Sequence, residues 1–258
     1  MSFRMLLPFL LLGCLSATAA KAQEAALFKT NMPKPGATET DRVAMGIKKI
    51  KKGGVLQVTD PYYDDIGQIL EEMDFDYLNY NPKKEAEILF LNCGTATRVE
   101  VGHLRRFVEN GGVLYASDLA SSLLVAAFPG AFEFAGNTGS RGHVVAFVED
   151  PDLRAVMGPA TELHFDMNGW TELLDVTNGE VLMRSERSGL PLMVKVAIGE
   201  GTVFYTCFHN HAQASEKEQA IMQLLVAKQV AEVVQTPFHE TARHMGLDLV
   251  KLKSTFEQ

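Results

Sequence analysis

Two apolar patterns alternate along this chain, and together they predict its architecture. Short strand-like runs occur at Val55–Thr59, Asp76–Tyr80, Ala86–Leu91 and Val113–Ala116. Between them the apolar positions recur at helical spacing: Val43, Ile47 and Ile50, then Ile66, Ile69, Leu70 and Met73, then Val101, Leu104, Phe107 and Val108. The breaks have fitting residues. Thr40-Asp41 caps the first helix and Gly53-Gly54 stops it, while Asp60-Pro61 opens the second with an acidic cap and a proline at the first helical position. Strands alternating with helices predict an α/β fold whose parallel sheet is covered on both faces.

The stretch Gly111–Ser121 organises the rest. Glycine ends a helix there, strand residues follow, and Ser117-Asp118 opens an apolar helix running to about Phe128. Such a strand–turn–helix junction puts polar groups at the carboxyl edge of an open sheet, where ligands bind in this fold class. From Pro129 the rhythm breaks. His143–Val148, Thr161–Phe165 and Val181–Arg184 are strand candidates, a helix capped at Asp150-Pro151-Asp152 lies among them, and Met167–Trp170 is a loop. Residues 129–190 therefore read as an insertion of antiparallel character. Pro191–Ala197 and Thr202–Phe208 pair as a hairpin across Gly199-Glu200-Gly201, a long amphipathic helix runs from about Ser215 to Val234, and residues 237–258 form a charged tail. The late hairpin has to return beside the strand that Gly112 precedes, with Tyr115 and Tyr205 in one sheet.

Charge narrows the function. A formal net charge of -8 with no compensating basic stripe excludes a nucleic-acid partner, and the run Lys48, Lys49, Lys51, Lys52 is a solvated helix terminus. The N-terminus changes the expected address. Arg4 followed by the apolar run Met5–Leu15 and small residues to Ala22 reads as a signal peptide over 1–22, too short to span a bilayer. Leu11-Leu12-Gly13-Cys14 resembles a lipobox, so lipid anchoring at Cys14 is the alternative. The expected location is periplasmic or secreted, or membrane-anchored as a lipoprotein. A leader and short helix occupy 23–52, and the main domain 53–236. Cys93 and Cys207 lie in apolar strand contexts that suit buried free thiols better than a disulfide framework.

Three blocks carry a resemblance: Ala86–Gly94, Leu104–Asp118 and Pro191–His209. On these the chain resembles the class I glutamine-amidotransferase-like superfamily, most closely its ThuA-like, trehalose-utilisation branch, over roughly residues 54 to 235. The resemblance implies a flavodoxin-like, three-layer α/β fold with a mostly parallel sheet and an antiparallel late hairpin. It also implies a cysteine nucleophile at the elbow and a His-x-Glu after the late strand. This chain has Ser117 and Asp118 at the elbow and His209-Asn210-His211 after the strand, which points to a catalytically degenerate member.

The carboxyl rim collects the candidate site. Ser117, Asp118 and His209 are the catalytic candidates, Ser117 as nucleophile and His209 as base with Asp118 or Asp60 orienting it, and Thr59, Asp60, Asn92, Gly94, Thr95 and Asn210 the ligand-binding ones. Against this stands the plainer expectation that Asp60, Ser117 and Asp118 cap the following helices. His209 and His211, with Asp118 or Asp60, are weak candidates for a divalent metal, and no cofactor is expected. Cys93 is out of place for the thiol role, and Trp170 either edges a cleft or covers the core. The expected function is a non-catalytic binding or assembly module of the bacterial envelope, its partner an unknown small molecule or envelope protein. The alternative is a periplasmic hydrolase of a small polar or carbohydrate-derived substrate.

Overall fold

A computed structural model describes residues 38–95, 98–210 and 215–257. The expected signal segment, Cys14, the leader up to residue 37 and His211 lie outside the described residues. The chain forms two units, 1–42 and 43–258. In the first, Thr38 Oγ1 accepts from the Asp41 N–H at 3.2 Å, so Thr38 rather than Thr40 starts the helix. In helix α1 (Glu39–Lys52) the residues Val43, Ile47 and Ile50 are buried.

The second unit is built on one nine-stranded sheet. Its strands are β1 (Leu56–Val58), β2 (Leu78–Asn79), β3 (Ile88–Leu91), β4 (Val113–Ser117), β6 (Gly142–Val148), β7 (Ala160–Phe165), β9 (Gly179–Ser185), β10 (Pro191–Ile198) and β11 (Gly201–Thr206), while β5 (Phe132–Gly136) and β8 (Glu172–Val176) form a separate antiparallel pair. The order β2-β1-β3-β4-β11 is parallel throughout. It is the 2-1-3-4-5 order of the flavodoxin-like doubly wound fold, with β11 as fifth strand. The remaining strands β10-β9-β6-β7 extend the same sheet antiparallel, so the inserted region enlarges the sheet instead of forming a separate body.

Helices α2 (Ile66–Glu72), α3 (Val101–Glu109), α4 (Ser121–Ala127), α5 (Pro151–Met157) and α6 (Glu216–Val234) cover the sheet, and the tail supplies α7 (Phe238–His244) and α8 (Leu249–Phe256). Every residue of β4 is buried, both parities alike, which requires cover on both faces. Tyr115, Tyr205, Phe90 and Phe204 are among the largest fully buried side chains, and burial of each phenylalanine stabilises the fold by roughly 1.5–3 kcal/mol. Helix α6 opens with a capping box in which Ser215 accepts from the Glu218 N–H. Among the described residues no helix is long and apolar enough to cross a membrane.

One start signal misleads. Helix α2 begins at Ile66, with Asp65 accepting from the Gly67 N–H, and Asp60 is exposed. The chain from Pro61 to Asp65 stays irregular because Asp64 turns inward to bond Ser117, which holds the backbone out of a helix. Cys93 and Cys207 are both free and buried.

Candidate functional site

Pairing of β11 with β4 sets Thr206 opposite Ser117, so Tyr115 and Tyr205 share one sheet and the two strands end at a common rim. Immediately beyond that rim stand Asp118 and His209. Asp118 has φ 40, a left-handed conformation that a non-glycine residue adopts only when its surroundings hold it there. Three contacts do so. The Tyr205 hydroxyl donates to the Asp118 carbonyl at 3.0 Å, the Thr171 N–H donates to Oδ1 at 2.6 Å, and His209 Nε2 lies 3.1 Å from Oδ2. Neither Ser117 nor Asp118 caps the following helix with its side chain, because both side chains are committed to the rim.

Ser117 does not reach His209. Its hydroxyl donates to Asp64 Oδ2 at 2.6 Å and accepts from the Cys93 N–H at 3.1 Å. The expected nucleophile–base pair is therefore not made: the serine is spent on a buried carboxyl, and Nε2 of the histidine faces Asp118. On the other side of the ring, His209 Nδ1 lies 2.9 Å from Asp166 Oδ1. Burial works against the imidazolium, but the hydrogen bond to Asp118, then the contact with Cys93, outweighs it and lifts the His209 pKa to about 11.

Cys93 enters this cluster although in sequence it follows β3, one strand before the elbow strand. Its Sγ lies 3.5 Å from Asp118 Oδ2. Burial pushes the thiol up, and the contact with His209 pulls part of the way back. Cys93, Asp118 and His209 are 0 %, 1 % and 3 % exposed, and their donor atoms all lie within 4.8 Å of one another. A tight cleft lined by Phe165, Asp166, Met167, Trp170, Cys207 and His209 lies beside the cluster on its His209 side. Trp170 stacks on Phe165 at 4.3 Å and donates from Nε1 to the Ser140 carbonyl, so it both walls this cleft and covers the core.

The other sequence candidates divide into two groups. Thr59 and Asn92 face one another: the Asn92 N–H donates to Thr59 Oγ1 at 2.9 Å and Nδ2 donates to the Thr59 carbonyl at 2.8 Å, while Oδ1 accepts from the Ile66 N–H at 3.0 Å. These bonds pin β1, β3 and α2 together at the point where strand order reverses. Asn210 is buried beside the Tyr115 hydroxyl. Asp60, Gly94 and Thr95 stay at the accessible rim, where the edge-to-face pair Tyr62–Tyr63 lies over Gly94. Gly94 has φ 63, and a Cβ there would collide with Tyr63.

Asp64, Asp166 and Thr171 are absent from the sequence reading. Asp64 lay within a stretch taken for helix. Asp166 and Thr171 flank a loop of the insertion, and only the run of polar residues after an apolar strand could have drawn attention to them.

No family model matches the chain, and no curated protein matches it. Solved structures are similar at low identity. The chain shares 11% identity with a β-galactosidase from Bacillus circulans sp. alkalophilus over 71% of its own length, with a TM-score of 0.47, and spans 31% of that enzyme. A glutamine amidotransferase from Thermotoga maritima aligns at 11% identity over 77% of this chain and 93% of that one, with a TM-score of 0.46. A protein described as ThuA-like, from Bacteroides uniformis ATCC 8492, aligns at 12% identity over 69% of this chain and 89% of that one, with a TM-score of 0.45.

Proposed function

We propose that this chain is an exported binding module of amidotransferase-like fold, without amidotransferase chemistry, that takes a small polar ligand at the carboxyl rim of its parallel strands. The observation that carries the reading is the state of the elbow. A carboxyl group, Asp118, holds the strained position, and its oxygens are engaged by Thr171 and His209. Ser117 is turned into Asp64 and the Cys93 thiol is buried, so among the described residues no activated nucleophile faces the crevice. What does face it is a set of recognition groups: Asp60, Thr95 and the exposed rings of Tyr62 and Tyr63. Export is supported by the Arg4 and Met5–Leu15 pattern.

The test is a ligand screen by thermal shift with small polar and carbohydrate-derived compounds, repeated on Tyr62→Ala and Asp60→Ala. A saturable shift in the wild type that weakens in these variants, with no turnover of any compound, is the expected result. Turnover abolished by His209→Ala would replace this reading with the second one, a hydrolase. That second reading draws on one feature: the His209–Asp166 contact orients an imidazole as the third member of a catalytic triad does. Export is checked separately by sequencing the N-terminus of protein recovered from the periplasmic fraction.

A further inference from the structure

The groups beneath the rim have an arrangement that ligand recognition at the surface does not use. Cys93 Sγ, Asp118 Oδ2 and His209 Nε2 point at one another from the ends of three adjacent strands, β3, β4 and β11. They offer a thiol sulfur, a carboxyl oxygen and an imidazole nitrogen, the donor types that zinc takes. With bonds of about 2.0 Å to nitrogen and oxygen and about 2.3 Å to sulfur, a tetrahedral ion sets its N–O edge near roughly 3.3 Å and its S–O edge near roughly 3.5 Å. The separations from Asp118 Oδ2 are 3.1 Å to His209 Nε2 and 3.5 Å to Cys93 Sγ.

Each donor is also held from behind. Asp166 engages His209 Nδ1, which leaves Nε2 as the inward atom. The Thr171 N–H engages Asp118 Oδ1, which leaves Oδ2 inward, and the Ser117 hydroxyl fixes the Cys93 backbone. A carboxyl group behind the outer nitrogen of a histidine is the usual outer partner of a metal-bound imidazole. Asp118 and Asp166 engage the two ring nitrogens of this single imidazole, and the thiol lies beside Asp118.

We infer that Cys93, Asp118 and His209 form a three-donor site for a divalent transition ion of the zinc type, oriented by Asp166. Binding replaces the protons on Sγ and Nε2, which leave to solvent as the ion enters. The site is independent of the proposed role at the rim, which stands or falls on the ligand screen.

Cobalt(II) titration of the reduced, full-length mature protein tests it, because a cobalt–thiolate bond has a near-ultraviolet charge-transfer band. The expected result is saturation at one ion per chain with that band present. It persists in Cys207→Ser, disappears in Cys93→Ser, and zinc displaces the cobalt. Asp166→Asn is expected to weaken binding by roughly 10–100-fold, while circular dichroism shows that it is folded. Absence of the band in the folded wild type overturns the inference whatever the variants do, and so does a band that is lost with Cys207 instead of Cys93.

Discussion

Replacing Asn92 by alanine tests how the switch point of the sheet is held. The side chain is fully buried and makes two bonds that alanine cannot: Nδ2 donates to the Thr59 carbonyl and Oδ1 accepts from the Ile66 N–H. Both partners are backbone groups, and the substitution strands them together. Each stranded buried group costs about 1–3 kcal/mol, so Asn92→Ala is expected to lose about 2–6 kcal/mol of stability. Thr59→Val is the companion change. It removes only the acceptor of the Asn92 N–H and is expected to cost about half as much. Urea unfolding followed by circular dichroism, with linear extrapolation to water, reads both values. A loss below about 1 kcal/mol for Asn92→Ala would mean that water replaces the side chain at little cost, and the dry, interlocked rim described above would be wrong. The same pair separates two roles: if Asn92→Ala abolishes ligand binding with stability unchanged, the residue serves recognition and not the lock.

Other expectations follow from packing and charge. A Cβ on Gly201 would collide with the backbone carbonyls of Val108 and Gly112, so Gly201→Ala is expected to leave little folded protein by circular dichroism, whereas Gly130→Ala, which meets nothing, folds with a modest loss from its positive φ. Lys228 sits between Asp150 and Asp152 at 2.8 and 3.0 Å. Burial works against its charge, yet the hydrogen bonds with Asp150 and Asp152 raise its pKa overall. A raised lysine pKa contributes stability that is full below the unfolded value of about 10.4 and fades as pH climbs through the folded one. Lys228→Met is therefore expected to destabilise at neutral pH, by an amount between the about 0–1 kcal/mol of an exposed pair and the about 3–5 kcal/mol of a broken buried one. The gap to wild type should close only in strongly alkaline solution, and a gap constant with pH would contradict the assignment. Burial pushes the Cys207 thiol strongly up, so peptide mapping after brief iodoacetamide treatment should find it unmodified in the folded protein and modified in urea.

Much of the scaffold was readable in the linear pattern, for a physical reason. Short strand-like runs separated by helical spacing admit few arrangements, and the residues that end them act locally. Ser215 and Glu218 form the capping box wherever the helix lies, and Asp150 caps the helix at Pro151 by accepting from the Leu153 N–H. The hairpin of β10 and β11 follows from its own turn. Local signals mislead where a distant group competes. Asp60-Pro61 has the form of a helix start, but the inward bond from Ser117 to Asp64 delays the helix to Ile66.

The candidate site divides along the same line. The elbow and the late histidine are legible because strand ends in a parallel sheet share one rim, which brings Asp118 and His209 together. Cys93 was set aside because its strand precedes the elbow strand in the chain, yet β3 and β4 are neighbours in the sheet and their ends adjoin. Asp166 lay further still from sequence reasoning. Strand order separates β7 from β11 by β10, β9 and β6, and in a flat sheet four steps span about 19 Å. The contact of Asp166 with His209 at 2.9 Å is made beyond the strand ends, where the segment after β11 passes β10 at Leu192 and brings Phe208 against Phe165. Periodicity along a chain determines which segments are strands and helices and where polar residues end them. Which side chains meet at one histidine depends on strand order, on sheet twist and on the path of the segments beyond the strand ends, and only the folded chain decides it.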